Sequence, residues 1–209
     1  MSSRAISINV ATQVRTGPWT GSEGRTGIDK KPIAGPVRFE NDRVGADLVI
    51  DKKAHGGYDK AVYAYASEDG IWWSEKYKRP IIPGMFGENL TTENIDLNDC
   101  LIGEQWQFGS VILEVSEPRI PCRVFAGFWD IPTLIKEFTE ARRPGTYLRI
   151  IQAGFAEAGD EIEIIFKPKH SVSVRDLFEA KSGDRSKIKE ISEVEALSDK
   201  YQTWIRNLL

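Results

Sequence analysis

No single periodicity persists for long in the first 166 residues, because glycine, proline and asparagine interrupt it every few positions. Residues 4–10 (RAISINV) alternate Ala5, Ser7 and Asn9 against Ile6, Ile8 and Val10, the period of an opening strand. Residues 15–36 are rich in Gly, Thr and Pro without a sustained period, which predicts a long loop or irregular hairpin. Residues 61–66 (AVYAYA) suit a buried strand. Ser67 is placed to N-cap a short helix whose Glu68 and Asp69 complement the positive end of its dipole. Further short strands are predicted at 89–92, 104–108 and 111–115, with Gly103 and Gly109 between segments. Pro132 suits the first turn of a helix running to about Arg143, stopped by Pro144-Gly145, and two more strands follow. In the last, EIEIIF, Ile162, Ile164 and Phe166 share a face. Short strands with frequent turns predict a mainly β fold, a barrel or a sandwich.

The pattern changes at Lys167-Pro168-Lys169, dividing the chain into a β-rich domain over 1–166 and a helical one over 167–209. Helices are predicted at about 173–181, 184–191 and 198–207, and Ser173 with Asp176 has the spacing of a capping box. Each is too short to stand alone in water. They must pack through Leu177, Phe178, Ile188, Ile191, Leu197, Trp204 and Leu208.

A net charge of −3 over 209 residues gives no general electrostatic grip on nucleic acid or an acidic membrane. No apolar run approaches a membrane span, and the first residues lack a signal-peptide pattern, so a cytoplasmic protein is expected. The two cysteines, Cys100 and Cys122, and two histidines, His55 and His170, are too few for a four-thiolate iron–sulfur cluster and lack a recognised zinc spacing. No Gly-x-Gly-x-x-Gly opens a helix after a strand. Redox chemistry here needs a cofactor with few protein ligands and electrons from outside. Six Trp, six Tyr and nine Phe leave room for a homodimer interface.

Four stretches carry residues that strand-and-turn construction does not require. Lys52-Lys53-Ala54-His55-Gly56-Gly57-Tyr58-Asp59-Lys60 is locally cationic, and its glycines allow close backbone approach; a charged, solvated turn would look the same. Met85 to Thr92 places the Asn89 amide and two hydroxyls where they could read the edge of a heterocycle, or simply close a turn. In Glu117-Pro118-Arg119-Ile120-Pro121-Cys122-Arg123, two prolines set the path of Cys122, and flanking cations favour the thiolate that binds metal or attacks. A cysteine packed as a small hydrophobe is the alternative. Cys100 lacks such neighbours and is assigned to structure. Arg149, after Gly145-Thr146-Tyr147-Leu148, is either an inward anion anchor or a surface charge.

In order and spacing, these stretches resemble MOSC-domain proteins, particularly the YiiM-like branch. The resemblance runs from Lys31-Pro32-Ile33-Ala34-Gly35-Pro36 through His55-Gly56-Gly57-Tyr58-Asp59-Lys60. It continues over Gly87-Glu88-Asn89-Leu90-Thr91, Gly103-Glu104, Pro118 to Cys122 and Tyr147-Leu148-Arg149, and covers nearly the whole chain. One departure is Glu40-Asn41-Asp42-Arg43 where a Gly-Asp pair is expected, followed by Gly45-Ala46-Asp47.

The resemblance implies a MOSC-type β-barrel with a few flanking helices and a small C-terminal three-helix extension. It also implies a molybdenum cofactor (molybdopterin with Mo) whose metal is held by Cys122, with Lys53, His55, Gly56, Gly57, Asn89, Leu90, Thr91, Arg119 and Arg149 as cofactor-binding residues. A soft thiolate suits such a metal, and cations and backbone N–H groups of the Lys52–Gly57 loop and Arg149 suit a phosphate tail. The implied activity is reduction of N-hydroxylated compounds, such as 6-hydroxylaminopurine, to the amine, with a separate flavoprotein or iron–sulfur protein as electron donor. Two other readings are a sulfur carrier or sulfurtransferase using a Cys122 persulfide, and a non-catalytic cofactor-binding protein.

Overall fold

The computed structural model describes residues 2–209. β1 (Arg4–Val10) opens the chain, followed by the hairpin β2 (Arg15–Thr16) and β3 (Arg25–Thr26), then β4 (Lys31–Pro32), β5 (Val37–Glu40) and β6 (Arg43–Val44). A single turn, α1 (Lys52–His55), and a 3-10 turn at Tyr58–Lys60 lead into β7 (Val62–Ala66) and α2 (Ser67–Tyr77). β8 (Leu90–Glu93), β9 (Gln105–Phe108) and β10 (Val111–Pro118) precede α3 (Arg123–Trp129) and α4 (Leu134–Ala141). β11 (Thr146–Gln152), β12 (Gly154–Ala156) and β13 (Ile162–Phe166) complete the strands, and α5 (Val174–Ser182), α6 (Ile188–Ser192) and α7 (Asp199–Arg206) end the chain.

The architecture is mixed and sheet-dominated. Eight strands form one sheet in the order β13-β9-β10-β11-β7-β8-β1-β4, in which β7 and β8 pair in parallel and the other pairs are antiparallel. The expected barrel is not a closed ladder. One isolated bridge, Arg4 to Glu161, ties β1 to the segment before β13, with Ala5 N–H donating to Asp160 and Ile162 N–H to Ser3. That contact ends within a few residues, so the strand order stays open. β1 carries a register shift between Ala5 and Ser7, which breaks the simple alternation and leaves Ser7, Ile8, Asn9 and Val10 all buried.

Two apolar clusters organise the interior. The first joins strand residues such as Ile8, Phe39, Trp106 and Leu148 to Val174, Leu177, Ile191 and Ile205 of the C-terminal helices and Leu197 between the last two. Strands and helical tail thus share one core. Ser173 and Asp176 form the expected capping box. Leu208, expected in the packing, is 43% exposed because α7 ends at Arg206. The second cluster is aromatic: Tyr65, Trp73, Phe86, Phe125, Trp129 and Phe138 hold α2, α3 and α4 against β7. Each such buried side chain stabilises the fold by roughly 1.5–3 kcal/mol. Ser67 begins α2 instead of capping it; Ala66 is the N-cap. No helix of the described residues is long and apolar enough to cross a membrane.

Candidate functional site

A cleft opens beside the aromatic cluster, its empty space about 910 Å³ with the solvent at its mouth included. Its lining brings together His55, Asn89, Arg119 and Cys122 from the expected set, and adds Lys30, Tyr63, Phe86 and Tyr147. The hairpin between β2 and β3 contributes Thr20, Gly21 and Thr26. That hairpin is fastened to α3, since a side-chain carbon at Gly127 would lie 2.4 Å from Trp19.

Cys122 follows β10 and is the N-cap of α3, a helix that the sequence patterning missed because its seven residues mix large aromatics with small ones. Its side chain caps nothing and is half-buried, so the sulfur is available to the cleft. Sγ lies 3.7 Å from His55 Nε2, and His55 Nδ1 lies 3.2 Å from the Tyr147 hydroxyl. Burial, then the charges of Arg119 and Lys60, push the His55 pKa down to about 4, so the imidazole is neutral at pH 7. Burial keeps the Tyr147 phenol protonated. The imidazole thus bridges the Tyr147 hydroxyl at Nδ1 and the Cys122 sulfur at Nε2.

Arg119 is 3% exposed and has no carboxylate within ion-pair distance among the described residues. Nη1 donates to the Phe86 carbonyl at 2.9 Å, Nε has no partner, and the guanidinium carbon sits 3.9 Å from the Phe125 ring centroid. A buried charge left unpaired is costly. This one lines a cleft that an anion can enter. Arg123, expected to flank the cysteine likewise, is exposed and does not line the cleft.

Of the remaining expected residues, all but Lys53 are engaged with the scaffold. Arg149 binds Asp59 and Glu114, each at 2.7 Å, and the Ala196 carbonyl at 2.9 Å. Asn89 lines the cleft, but its Oδ1 accepts from Tyr63 N–H, and its Nδ2 donates to the Asn9 carbonyl and to Asp47. Its amide is therefore not free to read a heterocycle. Thr91 donates to Glu88, whose carboxylate also ties down the Gly84 and Phe86 amides, and Leu90 is core. Gly57 has φ 86°, and a side-chain carbon at Gly56 would meet Lys52 Cα at 3.2 Å. The glycine pair thus shapes the turn that carries His55. Lys53 is exposed and off the cleft lining.

Sequence reading also missed Lys30, which is buried and ion-paired with Asp47. Asp47 further accepts from Ala11 N–H at 2.7 Å. A lone lysine in a Gly/Thr-rich loop carried no signal of burial. Among the described residues, no group of three or more His, Cys, Asp or Glu side chains could hold a metal ion. A metal in this cleft would take its sole protein sulfur from Cys122 and bring its other ligands with it.

An open, sheet-dominated fold with a lone cleft-facing cysteine and a buried, unpaired arginine defines the class: the chain belongs to the MOSC domain family, whose model matches residues 51–163. It is YiiM-like. The crystal structure of YiiM from Geobacillus stearothermophilus covers 98% of this chain and 98% of its own, with a TM-score of 0.81 and 28% identity. Uncharacterized protein YflK of Bacillus subtilis is 28% identical over 170 residues, 81% of this chain and 76% of YflK. A protein of Gibberella moniliformis named "Reductase" is 32% identical over 158 residues, 74% of this chain but 28% of that longer protein.

Proposed function

We propose that the chain is an oxidoreductase of the cytoplasm that binds a molybdenum–pterin cofactor and reduces N-hydroxylated compounds, hydroxylamino-purines among them, to the amine. The observation that carries this reading is the juxtaposition of the Cys122 sulfur with Arg119, a buried cation lacking a protein anion. Kinship with a protein named a reductase supports the redox class.

The residues fit the group. A thiolate is the soft donor that molybdenum accepts, and Arg119 supplies a desolvated positive charge for an anionic ligand. When bound, the cofactor supplies the two-electron chemistry that removes oxygen from N–OH. The chain's own part is orientation and electrostatics. His55 holds the sulfur at Nε2 and is itself aligned by Tyr147 at Nδ1, as outer partners of metal ligands commonly are. Tyr63, Phe86 and Tyr147 line the cleft with aromatic surface and limit water around the reacting centre. The holding set narrows to Cys122, Arg119 and His55, with Arg149, Thr91, Leu90, Gly56 and Gly57 building the walls behind it.

The test is metal analysis of freshly purified protein, joined to turnover of 6-hydroxylaminopurine with dithionite. Stoichiometric molybdenum with amine production is expected. Cyanide-releasable sulfur without molybdenum would establish the sulfurtransferase reading instead, and molybdenum without turnover the cofactor-binding one.

A further inference from the structure

Cations of the C-terminal helices and their surroundings fall into two groups. Arg142 pairs with Glu179 at 3.0 Å, Arg175 with Asp99 at 2.8 Å, and Lys187 with Asp176 at 2.7 Å. Lys181, Arg185 and Lys200 form no ion pair among the described residues. Lys181 and Arg185 gather instead at one indole, and Lys200 lies one helical turn before it on α7. Lys181 Nζ lies 3.9 Å from the Trp204 ring centroid and the Arg185 guanidinium carbon 4.9 Å from it. Lys200 is close enough that, after burial, its charge is the main cause depressing the Lys181 pKa. Arg185 and Lys200 are exposed, and Trp204 is half-buried. The nearby Asp184 accepts from Ser186 N–H at 2.9 Å, and Asp199 is the exposed acid next to Lys200 in the chain. Clustered like charges repel, so a cationic patch with only Glu117 reaching Lys181 and Asp199 beside Lys200 favours an anionic partner.

The patch is mechanically joined to the cleft. Ser198, the N-cap of α7, donates to Glu117 at 3.1 Å. Glu117 is the cross-strand partner of Tyr147, whose hydroxyl meets His55, and His55 meets Cys122. From Tyr201, buried on α7, the ring contact to Trp204 at 5.9 Å carries the chain of groups to the surface.

We propose that Lys181, Arg185 and Lys200, set around Trp204, dock an acidic electron-transfer protein that supplies the reductase. This rests on the reductase reading. The balance is R–NHOH + 2 e⁻ + 2 H⁺ → R–NH₂ + H₂O: the N–O bond breaks and an N–H bond forms. The reduced flavin or iron–sulfur centre of the partner is oxidised, and solvent provides the protons. Two cysteines cannot build an iron–sulfur relay within this chain, so the electrons arrive across an interface. Opposite charge on the two surfaces raises the encounter rate and makes it sensitive to salt.

The test uses the molybdenum-loaded protein and the variant Lys181→Glu/Arg185→Glu/Lys200→Glu, with Arg185→Glu/Lys200→Glu as a second variant that alters exposed positions only. Turnover of 6-hydroxylaminopurine is driven either by dithionite or by a reduced, acidic plant-type ferredoxin. Dithionite rates should agree within about twofold, while the ferredoxin-driven rate at low salt falls by about tenfold or more in both variants. Salt at about 0.5 M should erase that difference by slowing the unmodified protein. Equal ferredoxin-driven rates, or no electron uptake from ferredoxin by the unmodified protein, overturn the proposal. Absence of dithionite turnover overturns the reductase reading itself. In that event calorimetric titration with ferredoxin still decides the docking surface: binding lost in the variants supports it, and no binding, or equal binding of a DNA duplex, overturns it.

Discussion

Arg119, just past the end of β10, and Arg149, in the middle of β11, are both almost wholly buried at 3% and 5% exposure, and both were expected to hold the anionic cofactor. Their surroundings differ in one respect. At Arg149 three donors are consumed by Asp59, Glu114 and the Ala196 carbonyl, so the guanidinium rivets β10, β11 and the helical tail together. At Arg119 one nitrogen meets a carbonyl, another meets nothing, and aromatic rings fill the rest. The comparison teaches that burial does not mark a binding cation; burial without a counter-charge, facing a cleft, does. The cysteines repeat the lesson. Cys100 is buried, donates to the Leu97 carbonyl at 3.0 Å, and burial pushes its thiol pKa well up. Cys122 faces the cleft with His55 against it.

The largest effect should separate the cysteines. Cys122→Ser is expected to lower N-hydroxyl reduction by about 100-fold or more and to weaken molybdenum retention, with the fold intact. Cys100→Ser should retain both. Metal content after gel filtration and circular dichroism check this pair.

Next come the arginines. Arg149→Met leaves two carboxylates without their partner and should cost about 3 kcal/mol of stability in urea unfolding. Arg119→Met removes an unpaired charge and should stay within about 1 kcal/mol of the unmodified protein while weakening cofactor retention. A reversal of these two outcomes would break the distinction drawn between them.

His55 sharpens it through pH. The group is neutral in the folded cofactor-free protein down to about pH 4 but takes a proton near 6.5 when unfolded. Its contribution is therefore fully present above 6.5 and is lost as pH falls toward 4, because the unfolded state binds more protons. The difference between 6.5 and about 4 corresponds to at most about 3 kcal/mol. His55→Gln should flatten that part of the stability–pH curve, and an unchanged slope would show that burial does not hold the imidazole neutral. The smallest effect is expected at Lys53→Ala, within about 0.5 kcal/mol and without loss of cofactor, since the side chain is exposed.

Much of the scaffold was legible. Period-two runs marked β1 and β13, an aromatic and apolar run marked β7, and the Ser173–Asp176 spacing marked the start of α5. The short α3 was not, because seven residues after Cys122 are too few for a helical period to show. At the site, the ordered motifs pointed to a cysteine, a histidine and an arginine that the fold brings to one cleft. The partners that neutralise Arg149, satisfy Asn89 and bury Lys30 lie far away in sequence, from position 47 for Lys30 to position 196 for Arg149. Tertiary pairing of that kind has no local signature, so motif position alone could not separate wall from ligand.

Molybdenum K-edge X-ray absorption tests the central claim most directly, because it counts sulfur neighbours of the metal. Unmodified protein should show one sulfur ligand more than the cofactor itself provides. Cys122→Ser, reconstituted with the same cofactor, should lose that one sulfur, and Cys100→Ser should keep it. An identical sulfur count in unmodified protein and Cys122→Ser would contradict the assignment of Cys122 as the ligand.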